Sequence, residues 1–120
     1  MDWKEGIIPG RFRGKTVIVT GAGAGIGRAT ALRLAKEDAR VVAVDLNTLR
    51  MEALLENPAA HGTIGIVADL NSESDIQRIM SAAGSDIDGL ALIAGVSDDL
   101  EPLHEVDDEV WERIFRINVT

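Results

Sequence analysis

Four short apolar runs alternate along the chain with longer segments in which apolar residues recur at helical spacing. The runs cover residues 16–19, 41–44, 64–68 and 90–94 and consist mainly of Val, Ile, Leu and Ala. Continuous apolar runs of this length are typical of strands that are buried on both faces of a parallel sheet. The pattern therefore predicts four strands joined by helices.

Helical periodicity fills the intervals between these runs. The predicted helices cover residues 25–37, residues 48–56, a stretch that begins after a cap at Asn71 or Ser72 and runs through Ala83, and residues 107–119. The first helix leaves four charged residues for solvent, namely Arg28, Arg33, Lys36 and Glu37. The last helix carries four apolar residues on its inner side, namely Val110, Ile114, Phe115 and Ile117.

Strands that alternate with helices at this spacing form βαβ units with right-handed crossovers. The predicted fold class is therefore α/β, with a parallel sheet of about four strands in the order 3-2-1-4 and helices on both faces. Ligands of such sheets bind beyond the carboxyl ends of the strands, where the strand order reverses. In this chain that point lies between the first and the fourth strand.

Composition and charge argue against several classes of protein. Hydrophobic residues make up 46% of the chain, but no apolar run approaches the roughly 20 residues of a transmembrane helix. The N-terminus leads into no apolar signal segment, so we expect a cytoplasmic protein without membrane contact. The net charge of −8 argues against nucleic-acid binding. Because cysteine is absent and His61 and His104 lack ligand spacing, the sequence predicts no metal site.

A glycine-rich segment separates the first strand from the first helix. Residues 20–27 have the sequence Thr-Gly-Ala-Gly-Ala-Gly-Ile-Gly. Glycines permit a tight turn and let backbone N–H groups approach a pyrophosphate at the positive end of a helix, the alternative being a flexible loop. In this context the segment predicts a dinucleotide-binding domain of the Rossmann type over residues 15–120, which follows a leader over residues 1–14.

Asp45 ends the second predicted strand. A carboxylate there can accept hydrogen bonds from both hydroxyl groups of the adenosine ribose and would repel a 2′-phosphate. Acids at strand ends are also common in turns, so a solvated strand-end residue is the alternative. The first interpretation predicts NAD as the cofactor, in preference to NADP.

The spacing of Gly21, Gly25 and Gly27 gives the pattern Thr-Gly-x-x-x-Gly-x-Gly. This pattern, with Arg-Phe at 11–12 and Gly-Lys at 14–15, resembles the classical short-chain dehydrogenase/reductase family. The resemblance runs from about residue 11 to the end of the chain and implies the N-terminal half of such a protein, with a partial Rossmann fold and an incomplete dinucleotide-binding domain over residues 15–120. The cofactor contacts that it implies are Gly21, Ala24, Gly25, Ile26, Gly27, Asp45, Leu46, Asp69, Leu70, Ile93, Ala94 and Gly95.

Of these segments, residues 69–70 match the family pattern and residues 92–95 depart from it. Asp69-Leu70 matches the pair that contacts adenine in the family, the acid by its side chain and the next residue by its backbone. A turn or capping role is the alternative for Asp69. After the fourth strand the family usually has Asn-Asn-Ala-Gly, whereas residues 92–95 are Leu-Ile-Ala-Gly. The difference implies a divergent subgroup in which Ile93 contributes only its backbone.

Asn118 matches the asparagine of the family's Asn-Ser-Tyr-Lys tetrad, which supports a proton relay without touching substrate. A polar residue near a helix end is the alternative. The chain contains no tyrosine, and its lysines all lie in the N-terminal third. The family uses a tyrosine assisted by a lysine as its acid and base. We therefore expect this chain to be inactive alone. The alternative is that His104 replaces the tyrosine as the acid, because histidine titrates near neutral pH.

The resemblance implies a function for the chain as the NAD-binding portion of an oxidoreductase. The complete form would transfer hydride between NAD(H) and a secondary alcohol or ketone. The alternatives are a stand-alone nucleotide-binding module without catalysis and a product with no independent role. The substrate would depend on several loops, of which this chain contains only residues 96–107. We expect the acids of this loop, Asp98, Asp99 and Glu101, to face solvent. The family also forms dimers through the helix at 107–119, which implies a homo-oligomer.

Overall fold

A computed structural model describes residues 6–97 and 100–119, which form an alternating series of strands and helices. The strands are β1 (Thr16–Thr20), β2 (Arg40–Asp45), β3 (Ile64–Val67) and β4 (Gly89–Ala91). The helices are α1 (Gly25–Lys36), α2 (Thr48–Glu56), α3 (Glu73–Ala83) and α4 (Asp108–Asn118). Short 3-10 turns occur at Pro58–Ala60 and Leu103–Glu105. Within the described ranges, no helix is both long and apolar enough to cross a bilayer.

All four strands lie in one parallel sheet in the order β3-β2-β1-β4, as predicted. β1 pairs with β2 along its whole length, from Thr16 opposite Arg40 to Thr20 opposite Val44. On its other side β1 pairs with β4 over only three positions. The strand order reverses between β1 and β4, so the crevice beyond their carboxyl ends is the switch point at which ligands of such sheets bind.

The core has two layers because alternate residues of the central strands face opposite sides of the sheet. The side covered by α1 and α2 contains Val19, Ala22, Ala31, Val41, Ala43, Met51 and Leu54. The side covered by α3 contains Ile18, Val42, Val44, Ala68, Ile79 and Ala83. Full burial of a valine side chain contributes roughly 1.5–3 kcal/mol. The buried Val41, Val42 and Val44 therefore place β2 at the centre of the core, with residues that contribute to both layers.

Side-chain caps start three of the helices. The capping residues are Asn47 for α2, Ser72 for α3 and Asp107 for α4. Of the two caps predicted for α3, Ser72 is the one that serves, since its hydroxyl accepts a backbone N–H of the first turn at 3.3 Å. α3 ends at Gly84, whose φ of 85° glycine adopts without strain. α1 differs from the others because Ala24 gives it no side-chain cap.

The inner face of α4 differs from the prediction at one position. Val110, Ile114 and Ile117 are half-buried, but Phe115 is 45% exposed. The Phe115 ring lies beside that of Trp111, with ring centroids 4.9 Å apart, and Trp111 is itself 52% exposed. The prediction for Phe115 was wrong because apolar spacing does not tell which of two neighbouring apolar stripes of a helix is covered.

β4 is shorter than the predicted strand over residues 90–94. Its start is closed by Asp88, whose Oδ2 accepts a hydrogen bond from Thr16 N at 2.8 Å. It ends at Ala91, three residues before the predicted end. β4 lies at one edge of the sheet, and Leu90 and Leu92 are 58% and 73% exposed.

Glu37 is the main correction to the predicted solvent face of α1, since it is 1% exposed. Its carboxylate accepts a hydrogen bond from Ile8 N at 2.9 Å and pairs with Arg11 and Arg33, each at 3.2 Å. The leader segment, residues 6–14, therefore folds back over the end of α1. Helical periodicity predicted exposure because it takes no account of a segment from outside the helix that covers it.

These contacts hold the Glu37 carboxyl in its ionised form. The hydrogen bond from the Ile8 backbone lowers the pKa of Glu37, burial opposes that effect, and Arg33 and Arg11 lower the pKa further. The charge on Glu37 therefore stabilises the folded position of the leader segment.

Replacement of Glu37 by Gln should lower the stability of the fold at neutral pH and have less effect in acid. A group with a lowered folded pKa stabilises the fold above its unfolded pKa, about 4.3 for glutamate, and loses that contribution as the pH falls through the lower folded value. Urea unfolding of both proteins, from neutral pH to about pH 3, measures the difference. Glu52→Gln, at an exposed position of α2, is the control. A difference that is equally large at both pH values would contradict this account.

Candidate functional site

The segments that follow the four strands meet at the carboxyl edge of the sheet, because all four strands run in the same direction. These segments are residues 21–24, 46–47, 68–72 and 92–97. Every predicted cofactor residue lies in one of them or at the adjoining end of a strand or helix. The geometry of each segment decides what it can bind.

Gly21 turns the chain out of β1 with a φ of 66°, a conformation that other residues adopt only with strain. A Cβ atom at this position would lie 2.8 Å from Ala94 N and 3.1 Å from the carbonyl carbon of Ile93. The backbone after β4 thus lies directly against Gly21, and no side chain fits between them. Glycine is required here for two separate reasons, the positive φ and the close approach.

The Thr20 hydroxyl explains why β4 ends early. Thr20 Oγ1 accepts hydrogen bonds from Ile93 N at 3.0 Å and from Ala94 N at 3.2 Å, and it donates to Ala91 O at 3.4 Å. A side chain of β1 therefore binds backbone groups that a longer β4 would pair with backbone. The predicted strand end at residue 94 was wrong for this reason. The sequence pattern by itself indicates no such role for Thr20, because only the fold shows that this residue is 3% exposed and that its hydroxyl therefore needs a partner.

The Asp45 carboxylate joins the end of β2 to the glycine-rich segment. Its Oδ2 accepts a hydrogen bond from Gly23 N at 2.8 Å, and its Oδ1 accepts one from Asn47 N at 2.9 Å. Asp45 is half-buried, whereas the next residue, Leu46, is 68% exposed. Each carboxylate oxygen can accept more than one hydrogen bond, so Asp45 keeps acceptor capacity for a ligand.

The start of α1 is suited to an anion. Ala24 provides no side-chain cap, and the first turn contains no acidic residue. The first N–H groups of a helix have no partners within it, and the helix dipole gives this end a positive potential. Gly25 has a φ of 53° and open space where a Cβ would be, and Ile26 is 76% exposed. A Cβ at Gly27 would overlap the Gly21 carbonyl, so the first turn of the helix packs directly against the turn after β1.

Asp69 forms a local turn, which is the alternative role considered for it. Its Oδ1 accepts a hydrogen bond from Asn71 N at 2.9 Å, and its own N–H donates to a carboxylate of α3 at 2.9 Å. The side chain is exposed, while Leu70 is half-buried and packs on the α3 side of the core. Among the described residues, no hydrogen bond joins Asp69 to the glycine-rich segment. Its turn role is compatible with a further contact through the second carboxylate oxygen.

Asn118 clamps the segment after β4 to the end of α4. Its Oδ1 accepts a hydrogen bond from Val96 N and its Nδ2 donates to Val96 O, both at 2.8 Å. The same Oδ1 lies 3.2 Å from the point that a Cβ of Gly95 would occupy. Because both ends of the amide bind Val96, Asn118 can act on the site by positioning this backbone.

The loop between β4 and α4 contains the acids that were predicted to face solvent. Asp98 and Asp99 lie outside the described residues, and Glu101 is exposed. His104, the alternative acid, has a side chain that is 80% exposed and lies 3.5 Å from Glu105. The contact of His104 is therefore with a neighbouring surface residue and not with the glycine-rich segment.

Comparison with known proteins gives a consistent result along most of the chain. A family model described as short chain dehydrogenase matches residues 15–120. 3beta-hydroxysteroid dehydrogenase 2 of Eggerthella lenta is 32% identical over 111 residues, and short chain dehydrogenase andC of Emericella variicolor is 38% identical over 111 residues. These matches cover 88% and 92% of this chain but only 43% and 44% of the two relatives.

Solved structures also match most of this chain and less than half of the related protein. A 3-ketoacyl-(acyl-carrier-protein) reductase from Brucella melitensis, complexed with NADH, is 31% identical, with a TM-score of 0.79 over 89% of this chain and 45% of that protein. A citronellol catabolism dehydrogenase of Pseudomonas aeruginosa is 32% identical, with a TM-score of 0.77 over 92% of this chain and 47% of that protein. The chain thus spans less than half the length of these proteins.

Replacement of Gly21 by Ala should destabilise the fold more than replacement of Gly14. Both glycines have positive φ values, 66° and 78°, but only Gly21 lies against another backbone, while Gly14 has open space. The conformation alone costs roughly 1–2 kcal/mol, and the overlap at Gly21 adds roughly 1–3 kcal/mol. Denaturant unfolding of the two variants measures the difference. Equal losses of stability in the two variants would show that the backbones at Gly21 and Ala94 are not in close contact.

Replacement of Thr20 by Val should destabilise the fold by roughly 1–3 kcal/mol, because the N–H groups of Ile93 and Ala94 lose their acceptor. Thr20→Ser keeps the hydroxyl and serves as the matched control. Thermal and denaturant unfolding of both variants provide the comparison. The hydrogen-bonding role of Thr20 is contradicted if Ser is as destabilising as Val.

Proposed function

The chain belongs to the short-chain dehydrogenase family, and from this membership we propose that it is the NAD-binding part of an oxidoreductase. The observation that carries the proposal is the hydrogen bond from Gly23 N to the Asp45 carboxylate. This bond joins an acid to a glycine-rich turn at the switch point of a parallel sheet. An acid at the second strand end and glycines after the first are the features by which such sheets bind a dinucleotide.

The pyrophosphate of the cofactor is assigned to the start of α1. The absence of acids in its first turn, the exposed Ile26 and the open space at Gly25 support this assignment. A larger side chain at Gly25 would project into the space that the phosphates need. The requirement for a bare backbone at this point explains why Ala24 provides no cap of its own.

Asp45 is assigned to the adenosine ribose. Its oxygens each accept one backbone hydrogen bond, and the remaining lone pairs suit the 2′- and 3′-hydroxyl groups. A phosphate on the 2′-hydroxyl carries about −1.5 to −2 charges near neutral pH. Asp45 would repel such a phosphate, so we propose that NAD is preferred over NADP.

The remaining predicted contacts complete the assignment. Adenine would lie near Asp69 and the Leu70 backbone, and the backbone of residues 93–95 would border the other half of the cofactor. The contact between Gly21 and Ala94 supports this arrangement, because it brings the segment after β4 next to the glycine-rich turn. We expect recognition of the adenosine end with weak overall affinity, since few of the implied contacts belong to the nicotinamide end.

In the complete protein, we propose hydride transfer between NAD(H) and a secondary alcohol or ketone, the nicotinamide supplying the hydride chemistry when it is bound. Asn118 would contribute as a positioning residue through its two hydrogen bonds to Val96. The chain contains no tyrosine, so the family's tyrosine acid would have to come from outside these 120 residues. We therefore expect the chain to be inactive alone.

The stand-alone module is the weaker alternative. The exposed Leu90 and Leu92 at the β4 edge favour a sheet that continues, because apolar edges invite pairing with a further strand. Oligomer formation through the helix predicted at 107–119 also belongs to this proposal. The exposed Trp111, Phe115 and Val119, at 52%, 45% and 70%, are apolar groups that a second copy could cover.

Calorimetric titration of the purified chain with NAD and NADP tests the proposal, with circular dichroism to verify the fold. We expect saturable binding of NAD that is stronger than binding of NADP. Asp45→Ala should weaken NAD binding about tenfold or more, because hydrogen bonds to a charged group are lost, and should reduce the discrimination against NADP. Asp86→Ala, an exposed acid in the loop before β4, is the control.

Two outcomes would contradict this assignment in different ways. A folded chain that binds neither dinucleotide would overturn the proposed function. Unchanged binding of both by the Asp45 variant would remove Asp45 from the site and leave the rest of the proposal in place.

A further inference from the structure

β3 lies at one edge of the sheet, so only one of its two sides pairs with a neighbouring strand. Just beyond its end, Ala68 N donates to Asp45 O at 3.0 Å, toward β2. In a trans peptide the C=O and N–H groups point in opposite directions, so the C=O group of Val67 points away from β2. Outward backbone groups at a sheet edge are a template for pairing with another chain.

Two side chains of α3 occupy this edge. The Arg78 guanidinium donates a hydrogen bond to Val67 O at 2.8 Å. One carboxylate oxygen of Asp75 accepts a hydrogen bond from Asp69 N at 2.9 Å. The other carboxylate oxygen of Asp75 pairs with the Arg78 guanidinium at 3.0 Å. The ion pair therefore connects two backbone groups at the end of β3, one acceptor and one donor.

These two backbone groups are the ones that a further parallel strand would use. In a parallel ladder, a residue of the neighbouring strand donates its N–H to one residue and accepts with its C=O from the residue two positions later. Here Arg78 supplies the donor and Asp75 supplies the acceptor. Both bonds include a charged partner, and such bonds are roughly twice as strong as bonds between neutral groups. An incoming strand would therefore have to displace stronger partners than itself.

We infer that the Asp75–Arg78 pair takes the place of a further strand and keeps β3 from pairing with a second copy of the chain. The strand of that copy which would fit is β4, because all four strands run in one direction and β4 forms the opposite edge of the sheet. Leu90 and Leu92, at the β4 edge, are 58% and 73% exposed. Pairing of β4 in one copy with β3 in the next would continue the parallel sheet from copy to copy.

The kind of assembly follows from which edges meet. Contact between two different edges is not self-complementary, so each added copy presents a new free edge. Loss of the ion pair should therefore give open-ended growth, in which the mean mass rises with protein concentration, and not a closed dimer. The inference is separate from the proposed function and from the association proposed for α4, neither of which needs a free β3 edge.

Sedimentation velocity and light scattering of Arg78→Ala, over a wide range of protein concentration, test the inference. We expect the association constant to rise about tenfold or more, because the C=O group of Val67 becomes free and Asp75 loses the partner that orients it. Alanine is the best helix former, so α3 should remain folded, which circular dichroism verifies. The substitution also makes the chain more negative than its net charge of −8, and this change by itself opposes association.

Arg13→Ala is the matched control for the loss of an arginine. Arg13 also belongs to an exposed ion pair, with Asp38 at 3.6 Å, but this pair lies between the leader segment and the end of α1. The control changes the net charge of the chain by the same amount as Arg78→Ala. It should leave the mass of the chain unchanged.

Second substitutions in the Arg78→Ala background locate the association. Val67→Lys and Leu90→Lys should each reverse it, because lysine on an edge strand discourages pairing. Ser81→Lys adds the same charge at an exposed position of α3, away from the strand, and should not reverse it.

Amide hydrogen exchange of the unaltered chain tests the contact itself, without any change at the edge. The N–H of Asp69 should exchange slowly although this residue is exposed, because it donates to Asp75. Asp75→Ala should speed this exchange about tenfold or more, since the acceptor is lost.

Three results would overturn the inference: an Arg78→Ala variant with the same mass as the unaltered chain, association that Val67→Lys does not reverse, and an Asp69 amide that exchanges as fast as an unbonded one. Reversal by Val67→Lys but not by Leu90→Lys would support the closure of the β3 edge by the ion pair. It would overturn the assignment of β4 as the strand that is kept out.

Discussion

The site depends on the contact between two stretches of backbone, at Gly21 and at Ala94. Because no side chain fits between them, the end of β1 and the segment after β4 form a continuous floor for the crevice. β4 has only three residues, and side chains hold it at both ends: Asp88 binds Thr16 N at its start, and Thr20 binds the backbone beyond its end. A strand of three residues forms few backbone hydrogen bonds, so by itself it adds little to the stability of the sheet. The side chains of β1 and of the β4 flank replace the hydrogen bonds that a longer strand would supply.

Most of the fold could be predicted from the sequence, because the positions of strands and helices depend on local signals and the strand order follows the topology rules for alternating strands and helices. Ser72 and Gly84 bound α3 by capping chemistry that is visible in the sequence. Two of the failures involve partners that are distant in sequence, whereas the exposure of Phe115 concerns the choice between two stripes of one helix. Glu37 is covered by the leader segment, and β4 ends where Thr20 intervenes. Neither partner can be deduced from the periodicity of a single helix or strand.

The candidate site also contains features that could be predicted from the sequence and features that could not. The glycine-rich segment and Asp45 could be identified because their residue types and positions have a physical meaning by themselves. Their connection, the bond from Gly23 N to Asp45, needs the three-dimensional turn. That turn is close because Gly23 lacks a side chain: a Cβ atom there would lie 2.7 Å from Asp45 Oδ2.

The bonds from Thr20 to the segment after β4 also have a consequence for the order of events during folding. They join residues up to 74 positions apart, and β1 and β2 are much nearer in sequence. Contacts that close long loops form late, because the chain must lose more conformational freedom before they contribute. The strand pair β1 and β2 can thus assemble with its helices first. The crevice between β1 and β4 is then completed in the last steps, so a partially folded chain would have a core before it has a binding surface.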